Sequence, residues 1–154
     1  MPVRKLKEFL DSNNIRYVTI RHSTAYTAQE IAASAHIKGK DVAKTVIVKI
    51  AGKLAMAVVP ASVRLDMNLL REAVAGAPVE LAGEVEFRDR FPDCETGAMP
   101  PFGNLYDMEV FVAKRLAEDA EIAFNAGTHT ELFQLAYADF ERLVKPRVVK
   151  LSHA

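Results

Sequence analysis

Ala43-Lys-Thr-Val-Ile-Val-Lys-Ile50 and Leu54-Ala-Met-Ala-Val-Val-Pro60 are two apolar runs separated only by Ala51-Gly-Lys53. Both runs are rich in β-branched residues, and the short turn between them contains a glycine, which together predict a β-hairpin. A proline removes one hydrogen bond from a strand ladder, so we expect the second strand to end at Pro60.

Helix and strand patterns interleave on both sides of this hairpin. Before it, apolar spacing predicts a helix over residues 2–13, a β-branched run predicts a strand from Ile15 to Arg21, and a capping box of Thr27 with Glu30 predicts a helix over 28–35. After it, we expect helices beginning at Asp66 and covering 84–91 and 139–144, and strands over 109–112, 122–125, 132–136 and 148–151. Because there is no strict βαβ rhythm, the pattern predicts an α+β fold with a mixed sheet.

The composition limits the function classes. The 154 residues, with no internal repeat or linker, predict a single domain over 1–154. Twenty basic and twenty acidic residues cancel, so the chain is not a general polyanion binder and any contact with nucleic acid has to be local. No apolar run is long enough to span a bilayer, and the charged N-terminus does not resemble a signal peptide. With a single cysteine, Cys94, we expect a cytoplasmic protein without membrane contact.

A loop rich in glycine and proline, Gly97-Ala-Met-Pro-Pro-Phe-Gly103, is the first candidate functional segment. Glycine permits backbone conformations closed to other residues, and each proline fixes φ and removes an N–H. We therefore expect a stiff surface loop whose remaining amides can point at a ligand, as in sites that hold a carbonyl oxygen becoming anionic. The alternative is a tight surface turn without a functional role.

Four motifs in a fixed order extend this observation over almost the whole chain. They are His22-Ser-x-Ala-Tyr-Thr-Ala-x-Glu30, Ala43-Lys-Thr-Val-Ile-Val48, Gly97-x-x-x-Pro101-x-Gly103, and Ala126-Gly-Thr-His-Thr130 ahead of Asp139-Phe-Glu-Arg-Leu-Val144. This order resembles the YbaK/ProX family, the free-standing relatives of the editing domain of bacterial prolyl-tRNA synthetases. The resemblance implies a compact, barrel-like mixed sheet flanked by short helices, and hydrolysis of the ester in a mischarged aminoacyl-tRNA.

The same resemblance implies roles for individual residues. Lys44 matches the functional lysine of the family, where a cation can hold the 3′ end of the tRNA or stabilise developing negative charge. Its alternative is a solvated lysine at a strand edge. The Gly97 loop matches the Gly-x-x-x-Pro loop of the family, so the amides of Ala98 and Met99 become the expected carbonyl donors. The expected substrate-binding residues are His22, Thr45, Pro101, Gly103 and His129.

The preferred substrate remains open at this level. The two loop motifs resemble the alanine-clearing branch, which favours Ala-tRNA-Pro, with Cys-tRNA-Pro or another small aminoacyl-tRNA as the alternative. Prolyl-tRNA synthetase or an elongation factor is a possible partner, because zero net charge predicts weak tRNA affinity. A binding module without turnover is a second class. A metal hydrolase is disfavoured because no metal-ligand spacing is present, and we expect no cofactor. Cys94 receives no role, and His36 and His153 are expected at the surface.

Overall fold

The hairpin predicted from the sequence lies at the centre of the sheet. In the computed structural model, which describes residues 3–22 and 42–153, strands β2 (Val42–Ile50) and β3 (Lys53–Pro60) pair antiparallel from Ala43 opposite Pro60 to Ile50 opposite Lys53. The turn residues Ala51 and Gly52 both have positive φ, at 51° and 83°. A two-residue turn of this kind matches the right-handed twist of the two strands it joins.

The remaining elements mostly follow the sequence pattern. The helices are α1 (Arg4–Ser12), α2 (Met67–Ala73), α3 (Glu84–Phe87), α4 (Lys114–Ala117) and α5 (Tyr137–Val144). The strands are β1 (Tyr17–Arg21), β4 (Val79–Leu81), β5 (Glu109–Ala113), β6 (Glu121–Asn125), β7 (Glu131–Ala136) and β8 (Arg147–Val149). Single 3-10 turns occupy Arg88–Arg90 and Gly103–Leu105. The helix predicted over 28–35 lies outside the described residues.

Several boundaries differ from the sequence prediction; for example, β1 begins at Tyr17 rather than Ile15, and α5 begins at Tyr137 rather than Asp139. The helix expected over 84–91 is one α-helical turn followed by a 3-10 turn, and the strand expected over 148–151 ends at Val149, after which Leu151 is buried. Strand β4 and helix α4 were not predicted, because three or four residues are too few to show a periodicity. The prediction for Asp66 is confirmed, since its carboxylate accepts hydrogen bonds from the amides of Asn68 and Leu69 at 2.8 and 3.2 Å.

The eight strands form one mixed sheet in the order β1-β7-β6-β2-β3-β5-β8, with β4 paired to β2. The pairs β2–β6, β3–β5 and β5–β8 are parallel and the others are antiparallel, which confirms the α+β class. Thr45 pairs with Val58, which in turn pairs with Val112. Val112 pairs with Val148, so these four residues form one row across half of the sheet.

Strand β3 is buried on both of its faces. Met56 and Val58 point into the larger core cluster, whose centre is aromatic, with the Phe102 ring 5.3 Å from that of Phe124 and 5.5 Å from that of Phe140. Ala57 and Val59 point into a second cluster beneath α2. The alternation follows from the period of two in a strand. Among the helices of the described residues, none is long and apolar enough to cross a membrane.

Candidate functional site

The glycine–proline loop lies mostly in the protein interior, contrary to the prediction of a surface loop. Every residue from Ala98 to Gly103 is buried, whereas Gly97 is exposed. The reason is Phe102, which is fully buried at the centre of the aromatic cluster and draws the second half of the loop inward. Only the first residue of the loop can therefore be changed without disturbing the core.

The amides of the loop are not equally available. The Gly97 N–H points at the sulfur of Met99 at 3.2 Å, and the Ala98 N–H donates to the Glu95 carbonyl at 3.0 Å. Sulfur is a weak acceptor, so the first contact is easily exchanged for a better one. No described residue accepts a hydrogen bond from the Met99 N–H. The expectation that Ala98 offers a free donor therefore does not fit this structure, and Met99 is the better donor.

Two segments distant in sequence are joined beside this loop. The Glu95 N–H donates to the Gly127 carbonyl at 2.8 Å, and the Gly127 N–H donates to the Ala98 carbonyl at 3.0 Å. Ring nitrogen Nε2 of His129 lies 2.7 Å from the Thr96 carbonyl oxygen. We call these two segments, residues 95–98 and 126–129, the Gly97–His129 junction.

The hydrogen bond of His129 determines which ring nitrogen carries hydrogen. A carbonyl oxygen can only accept, so Nε2 is the donor, and in the neutral imidazole Nδ1 is then the acceptor. His129 is exposed, so an acceptor at Nδ1 is open to solvent or to a ligand. The ring also lies close to Gly97, because a Cβ added there would be 3.3 Å from Cε1 of His129.

The three glycines of the two loops are required for different reasons. Gly97 and Gly127 have φ of 87° and 97°, in the region that disfavours other residues. A Cβ on Gly127 would overlap the side chain of Val3, whose amide donates to the Ala126 carbonyl at 2.9 Å. A Cβ on Gly103 would overlap the Met108 carbonyl oxygen and the Val110 side chain. The structure thus gives Gly103 a packing function, and it brings Gly97 to the ring of His129.

The predicted histidine at position 22 lies at the same end of the sheet. Arg21 is the last residue of β1 and pairs with Glu131, the first of β7. The His22 amide continues this ladder by donating to the Thr130 carbonyl at 2.9 Å. His22 is therefore adjacent to the segment that carries His129.

Lys44 and Thr45 lie in β2, next to the point where this strand leaves β6. Ala43 pairs with Phe124, the residue before the last of β6, so Lys44 is level with the beginning of the Ala126–Thr130 loop. Lys44 is half-buried and is the third residue of its strand. Thr45 shares a face with Ala43 and so faces the core cluster that contains Met99, whereas Lys44 faces the opposite side.

Sequence reasoning missed Glu95 and Thr96, whose backbone groups hold the junction together. Neither residue lies in a motif, and a contact made by a backbone carbonyl leaves no mark on residue type. The neighbouring Cys94 is half-buried, with its sulfur 3.6 Å from the Tyr106 hydroxyl. Burial is the main reason that the pKa of the Cys94 thiol is raised, and Asp93 adds to it.

Metal ligation is not indicated in the described part of the chain. No group of three or more His, Cys, Asp or Glu side chains there could hold an ion. His153 is exposed, as predicted, and its Nε2 lies 2.9 Å from an Asp66 carboxylate oxygen. His36 lies in the segment that is not described.

The comparisons with known proteins agree with the motif order. The model of the aminoacyl-tRNA editing domain matches residues 22–143. The chain belongs to this family. Two curated relatives, from Escherichia coli strains K12 and O157:H7, are each named multifunctional Ser/Thr-tRNA deacylase ProXp-y. Each is 30% identical over 112 residues, which cover 70% of this chain and 66% of the relative, just under two thirds of its length. The YbaK/ProX resemblance is thereby confirmed at the level of the family.

Solved structures confirm the fold. A crystal structure of a candidate trans-editing enzyme for prolyl tRNA synthetase superimposes with a TM-score of 0.84 at 20% identity, covering 99% of this chain and 97% of the other. The hypothetical protein APE2540 gives the same TM-score at 23% identity, covering 97% of this chain and all of the other. At such low identity the likeness establishes the architecture alone.

Proposed function

We propose that this protein hydrolyses the ester bond of mischarged aminoacyl-tRNA. The observation that carries the proposal is the Gly97–His129 junction together with the adjoining Met99. Gly97 is exposed with a positive φ, the Met99 amide has no acceptor among the described residues, and Nε2 of His129 donates to the Thr96 carbonyl. Ester hydrolysis requires a place for the oxyanion and a group that orients the water or the ribose. Family membership supplies the class of substrate.

Three groups at or next to the junction have a chemical assignment: the amides of Met99 and Gly97 and Nδ1 of His129. The Met99 N–H donates to the carbonyl oxygen of the ester, whose negative charge grows as water attacks. The Gly97 N–H can join it by exchanging the sulfur of Met99 for that oxygen, because sulfur is the weaker acceptor. Nδ1 of His129 accepts a hydrogen bond from the attacking water or from a ribose hydroxyl. Water adds to the carbonyl carbon, the bond to the ribose oxygen breaks, and that oxygen takes up a proton to become the free hydroxyl.

Lys44 is assigned to the tRNA rather than to the ester carbonyl. Strand alternation directs it away from the core face that holds Met99, while the register places it level with Asn125, one residue before the 126–129 segment of the junction. A cation at this position suits the terminal phosphate or ribose of the tRNA. Thr45, which faces the side of Met99, is the better candidate for contact with the aminoacyl group.

For the amino acid, alanine on tRNA-Pro remains our first candidate, on the loop motifs. The names of the two E. coli relatives add serine and threonine, and cysteine is a further small residue of similar size. Removing one methylene changes binding by only about 1–3 kcal/mol, so a small pocket tolerates several of these substrates. Capture of the tRNA from prolyl-tRNA synthetase or an elongation factor is part of this proposal.

The test is release of amino acid from a panel of aminoacyl-tRNAs charged with alanine, cysteine, serine, threonine and proline, with and without a chelator. We expect hydrolysis of small mischarged substrates, fastest for Ala-tRNA-Pro, with correctly charged Pro-tRNA spared and no effect of the chelator. Release at the spontaneous rate for every member would reject the enzyme and leave a binding module. Loss of activity when the chelator is added would show that hydrolysis requires a metal ion, contrary to the proposal.

Lys44→Ala tests the assignment of Lys44 to the tRNA, and a second lysine of the same strand serves as its control. We expect a strongly raised KM for aminoacyl-tRNA and a smaller change in kcat, because the side chain binds the substrate away from the reacting carbonyl. Lys49→Ala is the matched control, since Lys49 is also half-buried in β2 but is held in ion pairs with Glu80 and Glu86 at 3.4 and 2.8 Å. Equal kinetics for the two folded variants would show that Lys44 is a solvated strand lysine.

A further inference from the structure

A positively charged surface lies at the C-terminal ends of β5 and β8. Lys114, Arg115 and Lys150 line an open cleft of about 330 Å³ between helix α4 and the end of the chain, together with Ser152 and His153. Glu118 is the one carboxylate in its lining. Lys114 and Lys150 also line the adjoining cleft toward α2, where Glu72 is the one carboxylate in the lining. We call Lys114, Arg115 and Lys150 the basic cleft.

The strand register places this cleft at the same end of the sheet as Lys44. Thr45, Val58, Val112 and Val148 are paired in one row across the sheet. Lys44 lies one residue from this row in β2, on the side where β5 and β8 end. Two steps along β5 and β8 lead to Lys114 and Lys150. Neighbouring strands are about 4.8 Å apart, so two or three strands put the cleft about 10–15 Å from Lys44.

The charges of the cleft are not neutralised by ion pairs. None of its three cations forms an ion pair with a described residue, whereas Lys49 and Arg147 elsewhere in the sheet bind Glu86 and Glu109. Because the chain has zero net charge, an anionic polymer gains the most electrostatic binding energy at a local group of cations such as this one. Lysine offers a point charge, which suits phosphate contacts that position a nucleic acid without reading its sequence.

We propose that the basic cleft binds the sugar–phosphate backbone of the tRNA leading away from its aminoacylated 3′ end. This rests on the proposed function, because the position of the cleft matters only if the ester is held near Lys44. With the terminal nucleotide at Lys44, the chain crosses the ends of β3 and β5 and meets Lys114, Arg115 and Lys150 in turn. The binding is electrostatic, so it depends strongly on salt and little on sequence.

The test compares two double variants of the full chain with equal change of charge. Lys114→Glu/Lys150→Glu reverses the charge of the cleft, and Lys53→Glu/Lys145→Glu makes the same change at two exposed positions, the first residue of β3 and two residues before β8, at the opposite end of the sheet. Binding of uncharged tRNA is measured by fluorescence anisotropy over a series of salt concentrations. We expect at least a tenfold loss of affinity and a salt slope smaller by about two for the cleft variant only.

Kinetics then separate this proposal from the proposed function. For the cleft variant we expect a raised KM for aminoacyl-tRNA, an unchanged kcat, and unchanged hydrolysis of a short aminoacyl-adenosine ester that cannot reach the cleft. Equal tRNA affinity and equal salt slopes for the two double variants would overturn the cleft assignment, whatever the activity. Absence of hydrolysis on both substrates with the original sequence would instead reject the proposed function, while the binding comparison still decides for or against the cleft.

Discussion

Gly97 and Gly103 bound the same seven-residue loop and differ in what a side chain would meet. At Gly103 an added Cβ overlaps a backbone carbonyl and a core valine, so the residue is fixed by the packing of the protein interior. At Gly97 the backbone is exposed, φ is 87°, and the nearest group is the His129 ring at 3.3 Å. The comparison separates two uses of glycine within one motif, since one end of the loop holds the fold and the other end shapes the proposed site.

The largest effect is expected at the buried end. Gly103→Ala should lower the free energy of unfolding by about 3 kcal/mol, because the Met108 carbonyl is part of the backbone and cannot move aside. In a chain of this length that is a fall in Tm of roughly 6–12 °C, measured by thermal melting. Activity should fall only with the folded fraction. A lowered kcat in folded Gly103→Ala protein would contradict the assignment of Gly103 to packing and of Gly97 alone to the proposed site.

The next effect is expected at His129, on the other side of the junction. His129→Ala removes the clamp on the Thr96 carbonyl and should lower the single-turnover rate by about tenfold, which corresponds to about 1.4 kcal/mol. Tm should barely change, because the lost hydrogen bond is exposed. His153→Ala is the matched control, as it also removes an exposed histidine hydrogen bond, the one to Asp66. Equal rates for the two variants would remove His129 from the site.

Pro101 lies between the two ends of the loop and should show a mixture of both effects. Pro101→Ala increases the freedom of the unfolded chain, which costs about 1 kcal/mol and a few degrees of Tm. Because Pro101 is buried, the loop should loosen without moving out of the core, and single-turnover rates should fall by less than in His129→Ala. A larger loss of rate than in His129→Ala would place the functional contact at the proline.

The smallest effect is expected at the cap of helix α2, outside the loop. Hydrogen bonds from the Leu69 and Asn68 amides and the contact with His153 hold the pKa of Asp66 below its ordinary value of 3.8. A lowered pKa means that the ionised cap stabilises the protein above about pH 4 and that this contribution is lost as the pH falls through the folded value. Asp66→Ala should lower Tm slightly at pH 7, less so at pH 3, with deacylation unchanged. An equal loss of Tm at both pH values would contradict the charged cap.

Local patterns in the sequence predicted the elements that depend on neighbouring residues. The hairpin followed from two β-branched runs around Gly52, and helix α2 from the capping carboxylate of Asp66. Burial of the loop was not predictable in this way, because Pro100, Pro101 and Gly97 have the composition of a surface turn. It results from Phe102 entering an aromatic cluster with rings of β6 and α5.

The motif order predicted individual residues of the candidate site but not the geometry in which the fold holds them. The bond between His129 and the Thr96 carbonyl joins residues 33 positions apart, and no local pattern marks it. The capture of the Ala98 amide by Glu95 is likewise a property of the folded loop. Strand alternation could have shown beforehand that Lys44 and Thr45 face opposite sides of the sheet.

The most direct test of the difference between the two glycines is single-turnover deacylation by Gly97→Ala, measured beside its thermal melt and in combination with His129→Ala. A Cβ at Gly97 would lie 3.3 Å from Cε1 of His129, so the ring and the loop backbone leading to the Met99 amide have to shift, and we expect a rate lower by about 10²-fold. Tm should fall by only a few degrees, because the residue is exposed and the strain of its φ costs about 1–2 kcal/mol. The double variant should lose less than the product of the two single losses, since both act on one contact. An unchanged rate in Gly97→Ala, or a loss of rate that only follows the folded fraction as in Gly103→Ala, would contradict the account.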